Sequence, residues 1–142
     1  MKTRCWVMVV LCGGIFGWVS MRVPAGPPKF DKLSEEDRKV FAKRFEKEIW
    51  PLVTRNGKDG CLGCHAGGKI VSALRLSGEV NKDFPMLLKE GFFLPEDDGS
   101  LLGRLSDKDK LSRMPRGKDP WADKELQILR TFVVDLHKKQ KK

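Results

Sequence analysis

The sequence predicts an all-α fold. Apolar residues recur at three- and four-residue spacing in two stretches, 40–52 and 126–136, as they do on one face of a helix. No stretch alternates apolar and polar residues as a half-buried strand would. Serine, aspartate, glycine and proline fall where helices start and stop. At 142 residues there is room for one domain with a modest core.

Residues 1–25 read as a secretory signal peptide. Lys2 and Arg4 form a positive start, and the apolar run 6–19 is short for a membrane span. Val23-Pro24-Ala25 suits a signal peptidase, so cleavage is expected after Ala25. Leu11 is too bulky to make Cys12 a lipidation site. The alternative is an uncleaved anchor reaching to Val23. Residues 26–33, with Gly26, Pro27 and Pro28, are expected as a linker, and 34–142 as the domain.

The first helix is expected from Ser34, a cap with Asp37 three residues on; Glu35, Glu36 and Asp37 suit the positive end of a helix. Val40, Phe41, Phe45, Ile49 and Leu52 would form its apolar face, and Pro51 should kink or restart it. Residues 56–60 are turn-rich, and Gly67 and Gly68 allow close backbone approach. Residues 72–77, with Leu74 and Leu76, suit a short extended piece.

A short helix is expected over 84–90, with Pro85 near its start and Gly91 after it. Another is expected over 100–105, capped by Ser100 and burying Leu101, Leu102 and Leu105. Residues 106–119 are polar and turn-prone apart from Leu111 and Met114. The last helix carries Leu126, Leu129, Phe132, Val133 and Leu136 on one face, with Asp119 as cap and Pro120 in the first turn.

The formal net charge is +9. Loss of Lys2, Arg4 and Arg22 with the leader would bring it to +6. Much of the surplus lies in the tail from His137 to Lys142, which lacks the aromatic interleaving or motif of a nucleic-acid binder. A solvated helix end that complements the helix dipole fits it better. Steering toward an acidic partner, or peripheral contact with an anionic membrane, is the other use of such a tail. Cys5 and Cys12 fall in the leader and Cys61 and Cys64 in a motif, so no disulfide is expected.

That motif is Cys61-Leu62-Gly63-Cys64-His65. Two thiols three positions apart, followed by an imidazole, form the attachment signature of c-type haem. Each sulfur could add to one vinyl group of the porphyrin, and His65 would then be placed to hold the iron. A structural zinc site would need four ligands, and the other histidine, His137, is far along the chain. A thioredoxin-like dithiol would need a strand–helix–strand setting that the pattern lacks.

The sixth ligand in electron-carrying cytochromes is commonly Met. Met86 and Met114 are the candidates outside the leader. Met86 sits in a helical pattern, where methionine fills cores. Met114 is an apolar residue on the polar loop Ser112-Arg113-Met114-Pro115-Arg116, and is the preferred ligand. Trp50, Phe92, Phe93 and Trp121 are candidates for a haem pocket and equally for ordinary core. Arg75, Arg104, Arg113 and Arg116 are candidates to pair with propionates.

The chain resembles the class I cytochrome c family, and more narrowly the planctomycete-type cytochrome c domain. The matching stretches are Ile49-Trp50-Pro51-Leu52, Cys61 to His65, Leu74-Arg75-Leu76-Ser77, Ser100-Leu101-Leu102 with Arg104, Arg113-Met114-Pro115 and the helix over 125–133. The resemblance implies N- and C-terminal helices packed around one covalently bound haem. It implies Cys61 and Cys64 as attachment points, His65 as proximal ligand and Met114 as distal ligand. Arg116 stands where a second proline is usual after Met-Pro, and Ala122 where a hydroxyl cap is usual.

The expected function is that of an exported, periplasmic, monomeric monohaem cytochrome. It would pass single electrons between redox partners through a His/Met-ligated iron, without being an enzyme itself. The alternative is a haem enzyme or gas sensor with an open distal position. No nucleic-acid partner is expected.

Overall fold

The computed structural model describes residues 30–55, 60–66, 74–95, 99–116 and 119–141. The proposed leader, with Cys5 and Cys12, lies outside the described residues, as do most of the turn before the motif and the Gly67-Gly68 pair. A 3-10 turn, Phe30–Lys32, leads into α1 (Glu35–Arg44). A π turn, Phe45–Ile49, joins it to α2 (Trp50–Thr54). Then come α3 (Leu62–His65), α4 (Val80–Lys89), α5 (Leu101–Ser106) and α6 (Asp123–Gln140). The β pairing among the described residues is one isolated parallel bridge, Ala66 with Leu76, so the fold is mostly helical.

The cap of α1 is as expected. Ser34 Oγ accepts from the Asp37 N–H over 3.0 Å, and the Ser34 hydroxyl donates to Asp37 Oδ2 over 2.9 Å. The apolar face differs from the expected one. Phe41, Phe45, Ile49 and Val53 are buried, Leu52 is half-buried and Val40 is 56% exposed. Those four core positions are four residues apart, so a plain α-helix would let the stripe drift by about 40° at each step. The π turn takes up the drift. The Trp50 N–H reaches back to the Phe45 carbonyl, next to Pro51, which has no N–H to give.

Phe30 and Leu33, placed by the sequence in a linker, are core residues at 3% and 5% exposure. Arg38 secures them: its Nε donates to the Leu33 carbonyl and its Nη2 to that of Phe30. α4 starts at Val80, ahead of the expected boundary, and carries Pro85 in its interior. Pro85 is exposed, so the ring meets solvent and the helix tolerates it. Gly91, with φ 77°, ends α4 in the left-handed conformation that glycine adopts without a Cβ penalty.

α6 starts at Asp123, after Ala122, so Pro120 and Asp119 precede the helix rather than open it. The Ala122 N–H donates to Glu125 Oε2 over 2.9 Å, which replaces the missing side-chain cap. α6 packs on the π turn, α5 and the 3-10 turn. Leu129, Phe132, Val133 and Leu136 are buried. Phe45 lies among Trp50, Phe84, Phe93 and Phe132 at ring separations of 5.2 to 6.1 Å. Arg44–Asp135 and Lys139–Asp37 pairs, both at 3.1 Å, join α1 to α6 at the surface. No helix among the described residues is long and apolar enough to cross a membrane.

Candidate functional site

α2 ends beside the motif and sets its position. The Cys61 N–H donates to the Val53 carbonyl over 2.9 Å. Gly60 is buried there, and a Cβ on it would run into the Arg55 carbonyl oxygen and approach that of Val53. Only glycine lets the chain pass so close to its own backbone.

From Cys61 the chain makes one helical turn, with the His65 N–H donating to the Cys61 carbonyl over 2.9 Å. Residues four apart share a helix face, so Cys61 and His65 point the same way. Cys61 is half-buried, His65 is 9% exposed and Cys64 is exposed. Burial pushes the Cys61 thiol up to about 11, against the opposing effect of the nearby Arg55 charge.

The chain returns alongside as an extended piece. The Leu76 N–H donates to the His65 carbonyl over 3.0 Å, and His65 Nδ1 donates to the Leu74 carbonyl over 2.9 Å. A carbonyl can only accept, so Nδ1 carries a proton, and in the neutral ring the lone pair is then on Nε2. That is the tautomer a metal-binding imidazole needs.

Cys61, His65 and Leu74 form one wall of an open-sided cleft of 270 Å³. Phe92, Ser100, Leu101, Arg104 and Leu105 supply the wall from α5 and its approach, and Met114 and Arg116 come from the following loop. Ser100 is fully buried, and its Oγ accepts from the Gly103 N–H, capping α5. The cleft thus brings together three of the four residues singled out from the sequence. Cys64 is the exception: it is not on the cleft wall. Met86 is half-buried against the core and does not line the cleft. The Met114–Pro115 peptide is cis.

Of the aromatic candidates, Phe92 lines the cleft. Phe93 and Trp50 pack against Phe45. Trp121 is buried, with the Arg55 guanidinium 5.1 Å from its ring centre. Of the arginines, Arg104 and Arg116 line the cleft and Arg75 is exposed. Arg113 Nε and Trp121 Nε1 are buried donors without a hydrogen-bond partner among the described residues. Orphaned donors are costly, and a carboxylate-bearing ligand is one way to satisfy them.

His137, read from sequence as part of a solvated tail, is half-buried. Its Nε2 donates to the Phe93 carbonyl over 2.9 Å, and its ring meets Phe30 edge-on at 5.1 Å. No three His, Cys, Asp or Glu side chains among the described residues gather as a metal cage. The features missed from sequence are the Leu74 carbonyl, Arg55 and the buried Asp83. Backbone acceptors leave no mark in a sequence, although Ser77-Gly78 shortly before Asp83 is the kind of turn a carboxylate can hold. No family model, no curated protein and no solved structure matches the chain.

Proposed function

We propose that the protein is an exported monohaem c-type cytochrome that carries single electrons between redox partners. The observation that carries this reading is the sharing of one cleft by Cys61, His65 and Met114. The Cys-x-x-Cys-His spacing is the c-type attachment signature. Haem c, when bound, supplies a one-electron iron couple.

Cys61 and Cys64 would hold the porphyrin through thioethers. For Cys64, exposed and off the cleft wall, this assignment rests on the motif. His65 Nε2 and the Met114 thioether would hold the iron. The Leu74 carbonyl holds the ring of His65 with its lone pair on Nε2. Leu74, Phe92, Leu101 and Leu105 give the cleft an apolar lining, and a thioether ligand there would favour the reduced iron. Arg104 and Arg116 on the cleft, with Arg113 and Trp121 as orphaned donors, are the candidates to receive propionates. The basic tail and the arginines near the cleft suit brief docking on an acidic partner. The leader-like sequence of residues 1–25 supports work outside the cytoplasm.

A pyridine haemochrome spectrum on protein co-expressed with haem-attachment machinery tests the reading, followed by carbon monoxide on the reduced form. A c-type spectrum that ignores carbon monoxide is expected. A c-type spectrum that shifts with the gas would mean an open iron and turn the reading to an enzyme or sensor. No haem would return Cys61 and Cys64 to thiol chemistry.

A further inference from the structure

Asp83 is 2% exposed in the first turn of α4. A carboxylate is buried at high cost unless its oxygens are hydrogen-bonded. Both are: Oδ1 accepts from the Ser77 N–H over 2.7 Å, and Oδ2 from the Gly78 N–H over 3.0 Å. Hydrogen bonds to a charged acceptor are stronger than neutral ones, so this end of the extended piece is firmly fixed. Gly78 reaches it at φ 85°, a conformation glycine adopts at little cost.

The other end of the same five-residue piece faces the motif. Leu76 donates to the His65 carbonyl, and Leu74 presents its own carbonyl to His65 Nδ1 at 2.9 Å. Between the two ends, the Leu76 side chain is buried at 5% exposure. The carboxylate and the imidazole thus hold opposite ends of one strut.

We propose that Asp83 is a positioning residue for His65: by anchoring Ser77 and Gly78 it holds the Leu74 carbonyl on Nδ1. This keeps the imidazole in the Nδ1–H tautomer and makes Nε2 the more basic nitrogen. As a control on an iron ligand the inference rests on the function proposed above, but the anchoring itself does not.

The test uses the full chain as purified, reduced and labelled with nitrogen-15 histidine. NMR then reads the tautomer of His65 and the rate at which its Nδ1 proton exchanges with water. Asp83→Asn keeps the volume and one acceptor, and should speed this exchange about fivefold. Asp83→Ala should speed it further and mix the tautomers. In haem-loaded protein the reduction potential should rise in the same order, since a weaker bond to Nδ1 makes His65 a poorer donor to oxidised iron. Should Asp83→Ala fail to fold, Asp83→Asn decides alone. Unchanged exchange at His65, or exchange raised equally at amides throughout the chain, would overturn the assignment. The visible spectrum of the same samples reports separately on haem, so either idea can fail without the other.

Discussion

The Met114 N–H donates to the Arg104 carbonyl over 2.8 Å. Arg104 lies in the last turn of α5, where carbonyls lack partners within the helix. That bond ties the methionine loop to the helix that walls the cleft. Met114 is thereby held on the cleft through its backbone, whatever its side chain binds. Met114→Ala in haem-loaded protein should abolish the near-infrared methionine–iron band and lower the reduction potential. Met86→Ala, which removes a core contact away from the cleft, should leave both in place. The reverse pattern, read by absorption and potentiometry, would remove Met114 from the ligand set.

The π turn concentrates the core on Phe45, which is fully buried among four other aromatic rings. Phe45→Ala should cost about 3–5 kcal/mol in denaturant unfolding, the range for emptying an aromatic core site. Val40→Ala, on the 56% exposed side of α1, should stay within about 0.5 kcal/mol. Equal losses would mean that the apolar face reads as the plain helical spacing suggests, with Val40 in the core.

What could be read from the sequence was local. Ser34 and Ser100 cap because a hydroxyl before a helix has a nearby N–H to accept from, and the Leu129-to-Leu136 stripe packs because its spacing is helical. What could not be read depends on remote partners or on the backbone. The reasoning that singled out Met114, an apolar residue on a polar loop, applies equally to Leu111, which is 78% exposed. Hydrophobicity alone therefore does not say which loop residue turns inward. The bond from Met114 to Arg104 does, and it involves no side chain. The role of the Leu74 carbonyl and that of Asp83 escaped notice for the same reason: each acts on or through main-chain atoms.

Gly60 and Gly78 separate two kinds of glycine requirement. A Cβ at Gly60 would meet the backbone oxygens of Arg55 and Val53, while one at Gly78 would meet nothing within 4 Å. Gly60→Ala should therefore cost about 3 kcal/mol, as overpacking against an unyielding wall does. It should also loosen the bond from Cys61 to Val53, seen as faster amide exchange at Cys61. Gly78→Ala carries only the strain of a side chain at φ 85°, about 1 kcal/mol. The opposite ranking in thermal or denaturant unfolding would contradict the close approach at Gly60.

Arg55 and Glu125 join the end of α2 to the start of α6 through an ion pair at 3.0 Å. Partial burial works against the Glu125 carboxylate. The Arg55 guanidinium and the Ala122 N–H outweigh it and hold its pKa below the ordinary value. A carboxylate depressed on folding contributes its full stability above the unfolded pKa, near 4.3, and loses it as pH falls through the folded value. Both side chains are partly exposed, so the contribution should be on the order of 0.5–1 kcal/mol. Glu125→Gln should lose that much at about pH 7 and nothing at about pH 2, where the wild-type carboxyl is protonated as well. Urea unfolding at the two pH values makes the comparison. A loss of the same size at both would assign the effect of Glu125 to packing and hydrogen bonding, with no share for its charge.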